Sequence, residues 1–380
     1  MTKEKIMQKL ESMENSIIEK ETKPEDGKCV RIGVIGCGKM TLYGHIHAFD
    51  RLENAKITAL CDVRIEAAKE IAEKCEACKD AFITDNYEEL LPHVDAVLVV
   101  LPHAVHYPCG KFFLEHGKHV LMEKPLANTY EECVELAELA DKNNLKLMVA
   151  YPVPYKDGVV QLKEELDSGK YGRIMQMSIW TEQYTEYPGT IAHLGGGQLF
   201  SHGCHYIDLF LRFLGKPLSG FHMGSNLGTP WMEREGTSNV VIQFENGAMG
   251  YHFGTWGARG SSHEYAIQIH CEHGFFDYKM KEGLLKFVCD RGPDSTSGNY
   301  PRENVWHFDC SDDAAKKQTY REINHFADCI LNDKHPLTDA WSAIESNRLI
   351  WKLYEAEESG IVADLSDIKA RTEYLEVLNG

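Results

Sequence analysis

Long apolar runs are missing from this chain. No stretch of its 380 residues approaches the roughly 18 uncharged apolar positions a spanning helix needs, which sets aside a helical membrane protein. The first twenty residues, MTKEKIMQKLESMENSIIEK, are charged throughout and lack the apolar centre of a secretory signal, so a cytoplasmic location is expected. Basic charge is also short: 40 Lys and Arg stand against 58 Asp and Glu, a formal net charge of -18. Such a chain repels polyanions at long range, and nucleic acid and anionic membrane are excluded as expected partners. One local cationic pocket for a pyrophosphate stays compatible with that balance. Internal repeats and low-complexity tracts are absent, and 43% hydrophobic with 26% charged residues is ordinary globular composition.

Cysteine is abundant, at 12 residues, but Cys29, Cys37, Cys61, Cys109, Cys133, Cys204, Cys271 and the rest are scattered without the dense spacing of a disulfide scaffold. Cys75 and Cys78 form one C-x-x-C with no second pair nearby. That pattern fits reduced thiols in a reducing cytosol better than a redox pair or half a zinc site.

The order of apolar runs gives the architecture. Residues 1–28 read as a mixed-charge helical arm ending in a turn-rich segment. From Cys29 short apolar runs alternate with helical segments. Val30–Ile35, Lys56–Asp62, Ala96–Leu101, His119–Met122 and Lys146–Ala150 read as strands, and Met40–Leu52, Ile65–Cys75 and Tyr130–Asn143 as helices. Runs such as AlaValLeuValValLeu suit a strand covered on both faces, and the alternation predicts a parallel sheet with right-handed crossovers. After Tyr151 the pattern changes to strands of period two. Glu245-Asn246-Gly247 between two such runs is a hairpin signal, and a second hairpin is predicted to turn at His273-Gly274. Tyr320–Leu331 and Ala340–Glu358 return to helix. The expected fold is α/β: an N-terminal Rossmann domain over 29–150, then a C-terminal α/β domain over 151–380 with a large, mostly antiparallel sheet and terminal helices packing back on the first domain.

The first strand runs into Gly36-Cys37-Gly38-Lys39-Met40-Thr41 and then a helix. This is the G-x-G part of a dinucleotide fingerprint in its required context: Gly36 allows the tight turn, and Gly38 lets backbone approach a pyrophosphate at the helix start. Lys39 and Met40 follow as further cofactor-binding candidates. Asp62, at the end of the second strand, is placed to accept bonds from adenosine ribose hydroxyls and to repel a 2′-phosphate. NAD is therefore the expected cofactor, with Arg64 close by as the one feature against it.

Glu123-Lys124-Pro125 follows the strand ending at Met122, at the sheet edge where open α/β folds bind ligands. Together with Gly36-x-Gly38, Asp62, Leu101-Pro102, His106, Gly195-Gly196-Gly197 and Gly203-x-His205-x-x-Asp208, it makes the chain resemble the Gfo/Idh/MocA oxidoreductases over roughly residues 30–360. The resemblance implies hydride transfer between a sugar-like carbinol carbon and nicotinamide, and a second-domain sheet that mediates homo-oligomerisation. It implies that Lys124 orients the reacting hydroxyl, that His205 removes its proton, and that Leu101, Pro102, His106, Glu123 and Lys124 border the cofactor. Imidazole suits the base because its ordinary pKa lies near neutrality. Pro125 is expected to follow a cis peptide. One departure stands out: where the family commonly carries Asp, four residues before the histidine, this chain has Ser201, with His202 beside it. Tyr151, Tyr184, His193, Ser201, His202 and Asp208 complete the expected substrate set. No metal is expected, because the histidines lack metal-ligand spacing and nicotinamide chemistry needs none.

The expected substrate is a sugar or glycoside oxidised at a secondary hydroxyl, C3 first. Tyr155, Trp180, Tyr184, Tyr187 and Trp231 offer faces for a ring, and Glu182, Gln183 and His193 offer partners for hydroxyls. An NAD-dependent glycosidase acting by transient oxidation and elimination, an inositol or cyclitol dehydrogenase, and a non-catalytic NAD-binding protein are the alternatives.

Overall fold

The computed structural model of the protein describes residues 29–186, 196–289, 305–310 and 318–370. The proposed arm over 1–28 lies outside them, as do His193, Gly195 and Tyr187.

Six parallel strands form the first sheet: β1 Val30–Ile35, β2 Ala55–Cys61, β3 Phe82–Thr84, β4 Ala96–Val99, β5 His119–Glu123 and β6 Leu147–Ala150. Their spatial order is β3-β2-β1-β4-β5-β6, so the chain reverses direction across the sheet between β1 and β4. That switch point opens a crevice at the strands' C-terminal ends. All four β4 residues are buried, because helices cover both faces. These helices are α1 Ile46–Phe49, α2 Ile65–Lys74, α3 His106–Glu115 and α4 Tyr130–Lys142. A helix over Met40–Leu52 is only partly what forms. Thr41–His45 is a π-helical turn and α1 adds four residues.

The second sheet has nine strands in the order β14-β13-β12-β11-β7-β10-β9-β8-β15. They are β7 Ile174–Glu182, β8 Pro217–Ser225, β9 Thr237–Phe244, β10 Met249–Thr255, β11 Tyr265–Cys271, β12 Gly274–Lys279, β13 Leu284–Cys289, β14 Val305–Asp309 and β15 Ala363–Asp364. Only β7 and β10 pair in parallel; the other neighbours run antiparallel. Gly247, at φ 87°, turns the β9–β10 hairpin. The β11–β12 hairpin turns at Glu272-His273, one residue earlier than expected, since Cys271 pairs with Gly274.

Among the described residues, four helices belong to this half: α5 Asp157–Asp167, α6 Cys204–Phe213, α7 Thr319–Leu331 and α8 Ala340–Ser359. α7 lies against strands of the first sheet, and α8 packs on α4, α6 and β8. The chain's end thereby joins the two halves into one continuous core. The sheet's other face is open, with Phe221, Met223, Val241 and Met249 all exposed. No described helix is long and apolar enough to cross a membrane.

Candidate active site

The dinucleotide loop is built by backbone necessity. Gly36 sits at φ 94°, and a Cβ there would overlap the carbonyl oxygen of Val100. Any other residue would meet both strain and a clash. Gly38 is different: a Cβ on it would meet nothing, so its backbone faces open space at the start of the helical turn. Thr41 occupies the third small position, and its hydroxyl donates to the Gly36 carbonyl at 2.5 Å. A hydroxyl that closes the turn thus takes the place of a missing side chain. Asp62, buried, accepts the Cys37 N–H at 2.8 Å and the Arg64 N–H at 2.8 Å. The Arg64 guanidinium stands 3.7 Å from the same carboxylate, largely in solvent. A tight glycine turn, an uncovered glycine backbone and a carboxylate at the second strand's end fit a dinucleotide. Lys39 is exposed and Met40 half-buried where the loop enters the helix.

At the next switch-point strand, the Leu101 side chain closes over Gly36 and Pro102 is exposed. His106 is fully buried, with Nδ1 on the Pro125 carbonyl at 2.7 Å and Nε2 on the Leu101 carbonyl at 2.8 Å. This corrects the expectation that His106 borders the cofactor. Its ring instead ties the β4 exit to the β5 exit. Burial presses its pKa below the ordinary value, against the pull of those two carbonyls.

The Lys124–Pro125 bond is cis. Glu123, ahead of it, is buried and accepts the Lys124 N–H at 3.1 Å through one oxygen, while the other meets Nε2 of fully buried His45 at 2.8 Å. His45 leaves no signal in the sequence, because no local spacing links the π-helical turn to β5. Glu123 therefore braces the backbone of Lys124.

Lys124 reaches the second domain. Its Nζ donates to the Ser201 carbonyl at 2.6 Å, and its charge is felt at Cys204, whose thiol burial pushes up to about 11 while Lys124 opposes the shift. His103, half-buried just past Pro102, is likewise not among the residues expected from the sequence. Burial first and the Lys124 charge second depress its pKa to about 3, so it stands as a neutral imidazole near that ammonium.

His205 follows Cys204 on α6 and is 8% exposed. Its ring meets the edges of Tyr151 at 5.3 Å and His202 at 6.0 Å between centroids. His202 Nδ1 lies 3.3 Å from Gln198 Nε2 and its Nε2 3.4 Å from the Tyr265 hydroxyl, which donates to Gln183 Oε1 at 2.7 Å. Tyr265 carried no signal in the sequence, since β11 lies far along the chain from His202.

Three expected substrate-facing residues are corrected. Tyr151 is 0% exposed and forms the wall behind His205. Asp208 is 0% exposed and holds Arg212 at 2.5 Å, with the Ser346 hydroxyl at 3.3 Å. Its carboxylate is committed to a buried ion pair one helical turn beyond His205. Tyr155 is 4% exposed and packs on His325 in the core. Ser201 stays in the group through its carbonyl on Lys124, with its own hydroxyl buried and without a hydrogen-bond partner among the described residues. Tyr184 remains at the surface, in a T-shaped contact with Trp231 at 6.0 Å and under the Arg259 guanidinium at 4.4 Å. Trp180, half-buried on β7, stacks on His263 at 4.7 Å. Among the described residues no three His, Cys, Asp or Glu side chains are grouped to hold a metal. Cys75 and Cys78 are buried free thiols.

Comparison with known proteins adds three findings. Residues 30–151 match the model of the oxidoreductase family with an NAD-binding Rossmann fold, and residues 159–277 match the GFO/IDH/MocA C-terminal domain. Among characterised relatives, the scyllo-inositol 2-dehydrogenase (NAD(+)) of Bacillus subtilis is 24% identical over 319 residues, 81% of this chain and 88% of that one. The D-glucoside 3-dehydrogenase of Escherichia coli is 30% identical over 195 residues, 50% of this chain and 55% of that one. Among solved structures, the WlbA dehydrogenase from Bordetella pertussis, in complex with NADH and UDP-GlcNAcA, superposes with a TM-score of 0.74 at 20% identity, covering 90% of this chain and 99% of that one. At that identity the likeness concerns the fold.

Proposed function

This chain belongs to the Gfo/Idh/MocA oxidoreductases, and from that premise we propose that it oxidises a secondary ring hydroxyl, at C3, of a hexose carried as a glycoside, with NAD as the acceptor. The observation that carries the reading is a bond between the two halves: Lys124 Nζ is held on the carbonyl of Ser201, four residues before His205. When bound, the nicotinamide supplies the hydride acceptor. Gly36, Gly38 and the start of the following turn would hold the pyrophosphate, and Asp62 the ribose hydroxyls. Asp62 as an anion disfavours a 2′-phosphate, which makes NAD the preferred form.

Within the site, Lys124 donates to the reacting hydroxyl oxygen and fixes its orientation, and a ring nitrogen of His205 takes the hydroxyl proton. Glu123 holds the backbone of the lysine, and Tyr151 backs the histidine. The low exposure of His205 keeps bulk water from competing for the proton. Tyr184 and Trp231 offer apolar faces for a ring, and Gln183 and His202, both on the Tyr265 hydroxyl, offer partners for its hydroxyls. The partial match to a glucoside 3-dehydrogenase supports a glycoside and C3.

Incubation with NAD and an aryl glucoside tests this. The expected product is one pair of hydrogen atoms lighter, with a ketone at C3 and one NADH formed per product. Oxidation of free inositol or short-chain polyols alone would defeat the glycoside assignment and leave a dehydrogenase. Net release of the aglycone without NADH would point to oxidation-driven elimination instead.

A further inference from the structure

The helical segment that carries His205 begins with three N–H groups whose acceptors all come from elsewhere in the chain. The Gln198 N–H donates to the Glu235 carbonyl at 2.7 Å, the Leu199 N–H to Glu235 Oε1 at 3.0 Å, and the Phe200 N–H to the Tyr354 hydroxyl at 3.2 Å. Only with Ser201, whose N–H donates to the Gly197 carbonyl at 3.0 Å, does the segment supply its own acceptor. Tyr354 in turn donates its hydroxyl to Glu235 Oε1 at 2.8 Å. The opening N–H groups of a helix have no partner within it, and a carboxylate among them also meets the positive end of the helix dipole.

Glu235 is 6% exposed, on the loop between β8 and β9, and Tyr354 is 4% exposed on α8. The surroundings are cut to fit the carboxylate. A Cβ on Gly197 would fall on Glu235 Oε2, and one on Gly224 would meet the Glu235 stem. The second half of the Gly-Gly-Gly motif thus makes room for this anchor. From the other side the Arg234 guanidinium covers the Tyr354 ring at 3.9 Å and pairs with Glu358 at 2.5 Å. The π-helical turn Leu199–Gly203 then presents the Ser201 carbonyl to Lys124, and α6 continues to His205.

We propose that Glu235, with Tyr354, is a positioning residue: it fixes the start of this segment and so sets where the Ser201 carbonyl and His205 stand relative to Lys124. The inference rests on the oxidoreductase reading of Lys124 and His205. Glu235 itself touches neither group. Its effect is therefore on the rate of the chemical step, because displacing a catalytic group by about 1 Å can cost up to a hundredfold.

The test compares Glu235→Ala, Glu235→Gln and Tyr354→Phe in the full-length protein by hydrogen exchange of the peptide over 197–203 and by steady-state kinetics. For Glu235→Ala, exchange in that peptide should rise on the order of tenfold and kcat fall about tenfold to a hundredfold, with NAD affinity unchanged. Glu235→Gln, whose amide oxygen still accepts the Leu199 N–H, should recover most of both. Tyr354→Phe should loosen the same peptide less. Unchanged exchange in Glu235→Ala would overturn the anchor. Raised exchange with unchanged kcat would leave a helix cap and overturn the positioning role. Should Glu235→Ala fail to fold, Tyr354→Phe decides on the same two readings. A wild type that turns over no glycoside, cyclitol or polyol would sink the proposed activity, while the exchange data would still decide the anchor.

Discussion

Both helical segments at this site open with a π-helical turn, Thr41–His45 in the first domain and Leu199–Gly203 in the second. They are held in different ways. The first is closed at its entry by nearer residues, Thr41 on the Gly36 carbonyl and Asp62 on the Cys37 N–H, and at its far end by Glu123 on His45 and the Thr319 hydroxyl on the Gly44 carbonyl. The second is tied by Glu235 and Tyr354, which arrive from a distant loop and from α8. A π-helical turn widens the backbone and is frequent at functional sites. Here each needs an external brace. The difference teaches that the entry of the glycine loop is closed by residues near it, whereas the entry of the helix carrying His205 depends on a distant loop and on α8.

The sharpest way to break the comparison is at the residues where the two regions meet. Lys124→Ala and His205→Ala should each lower kcat by about a hundredfold or more while NAD binding, measured by calorimetry, persists. An active His205→Ala enzyme would move the proton to His202 or water and dissolve the link between the second π-helical turn and catalysis.

Next in size is a pH effect confined to the second brace. Burial raises the Glu235 carboxyl to about 6 from an ordinary 4.5, although the Leu199 N–H and the Tyr354 hydroxyl oppose the shift. A folded-state pKa raised above the unfolded one adds stability that is complete below the unfolded value and lost as pH rises through the folded value. Glu235→Gln cannot titrate. Urea unfolding should therefore show the wild type losing about 2 kcal/mol relative to Glu235→Gln between about pH 4 and pH 7. Parallel stability curves for the two proteins would show that the carboxylate is not held out of water as the structure has it.

The smallest expected effect belongs to the first brace. Asp62→Ala should weaken NAD binding by about tenfold, the scale of a lost charge-assisted hydrogen bond, and relax the preference over NADP. Competition binding of the two cofactors reads both. Tighter wild-type binding of NADP would show that Arg64, not Asp62, governs the ribose edge.

The residues of the first sheet announced it because strands covered on both faces must be apolar throughout, and a glycine turn before a helix is a local pattern. Gly36, Gly38, Asp62 and the Glu123-Lys124-Pro125 unit are legible for the same reason. The hairpin at Gly247 is equally local, since a positive φ there favours glycine. What sequence alone determined is thus whatever a few adjacent residues decide: strand or helix, the tight turn, the chemical type of each candidate group.

Tertiary structure decided which of those groups face one another. Asp208 lies one helical turn beyond His205, yet packing of α8 against α6 buries its carboxylate with Arg212 and the Ser346 hydroxyl. His106 reads as a site histidine, yet two carbonyls brought together by β4 and β5 claim its ring. His45 meets Glu123, and Glu235 meets Leu199, only because strands and helices distant in sequence are packed side by side. Hydrogen bonds and ion pairs reach about 3 Å, so a partner far along the chain leaves no mark in the local pattern until the fold closes the distance.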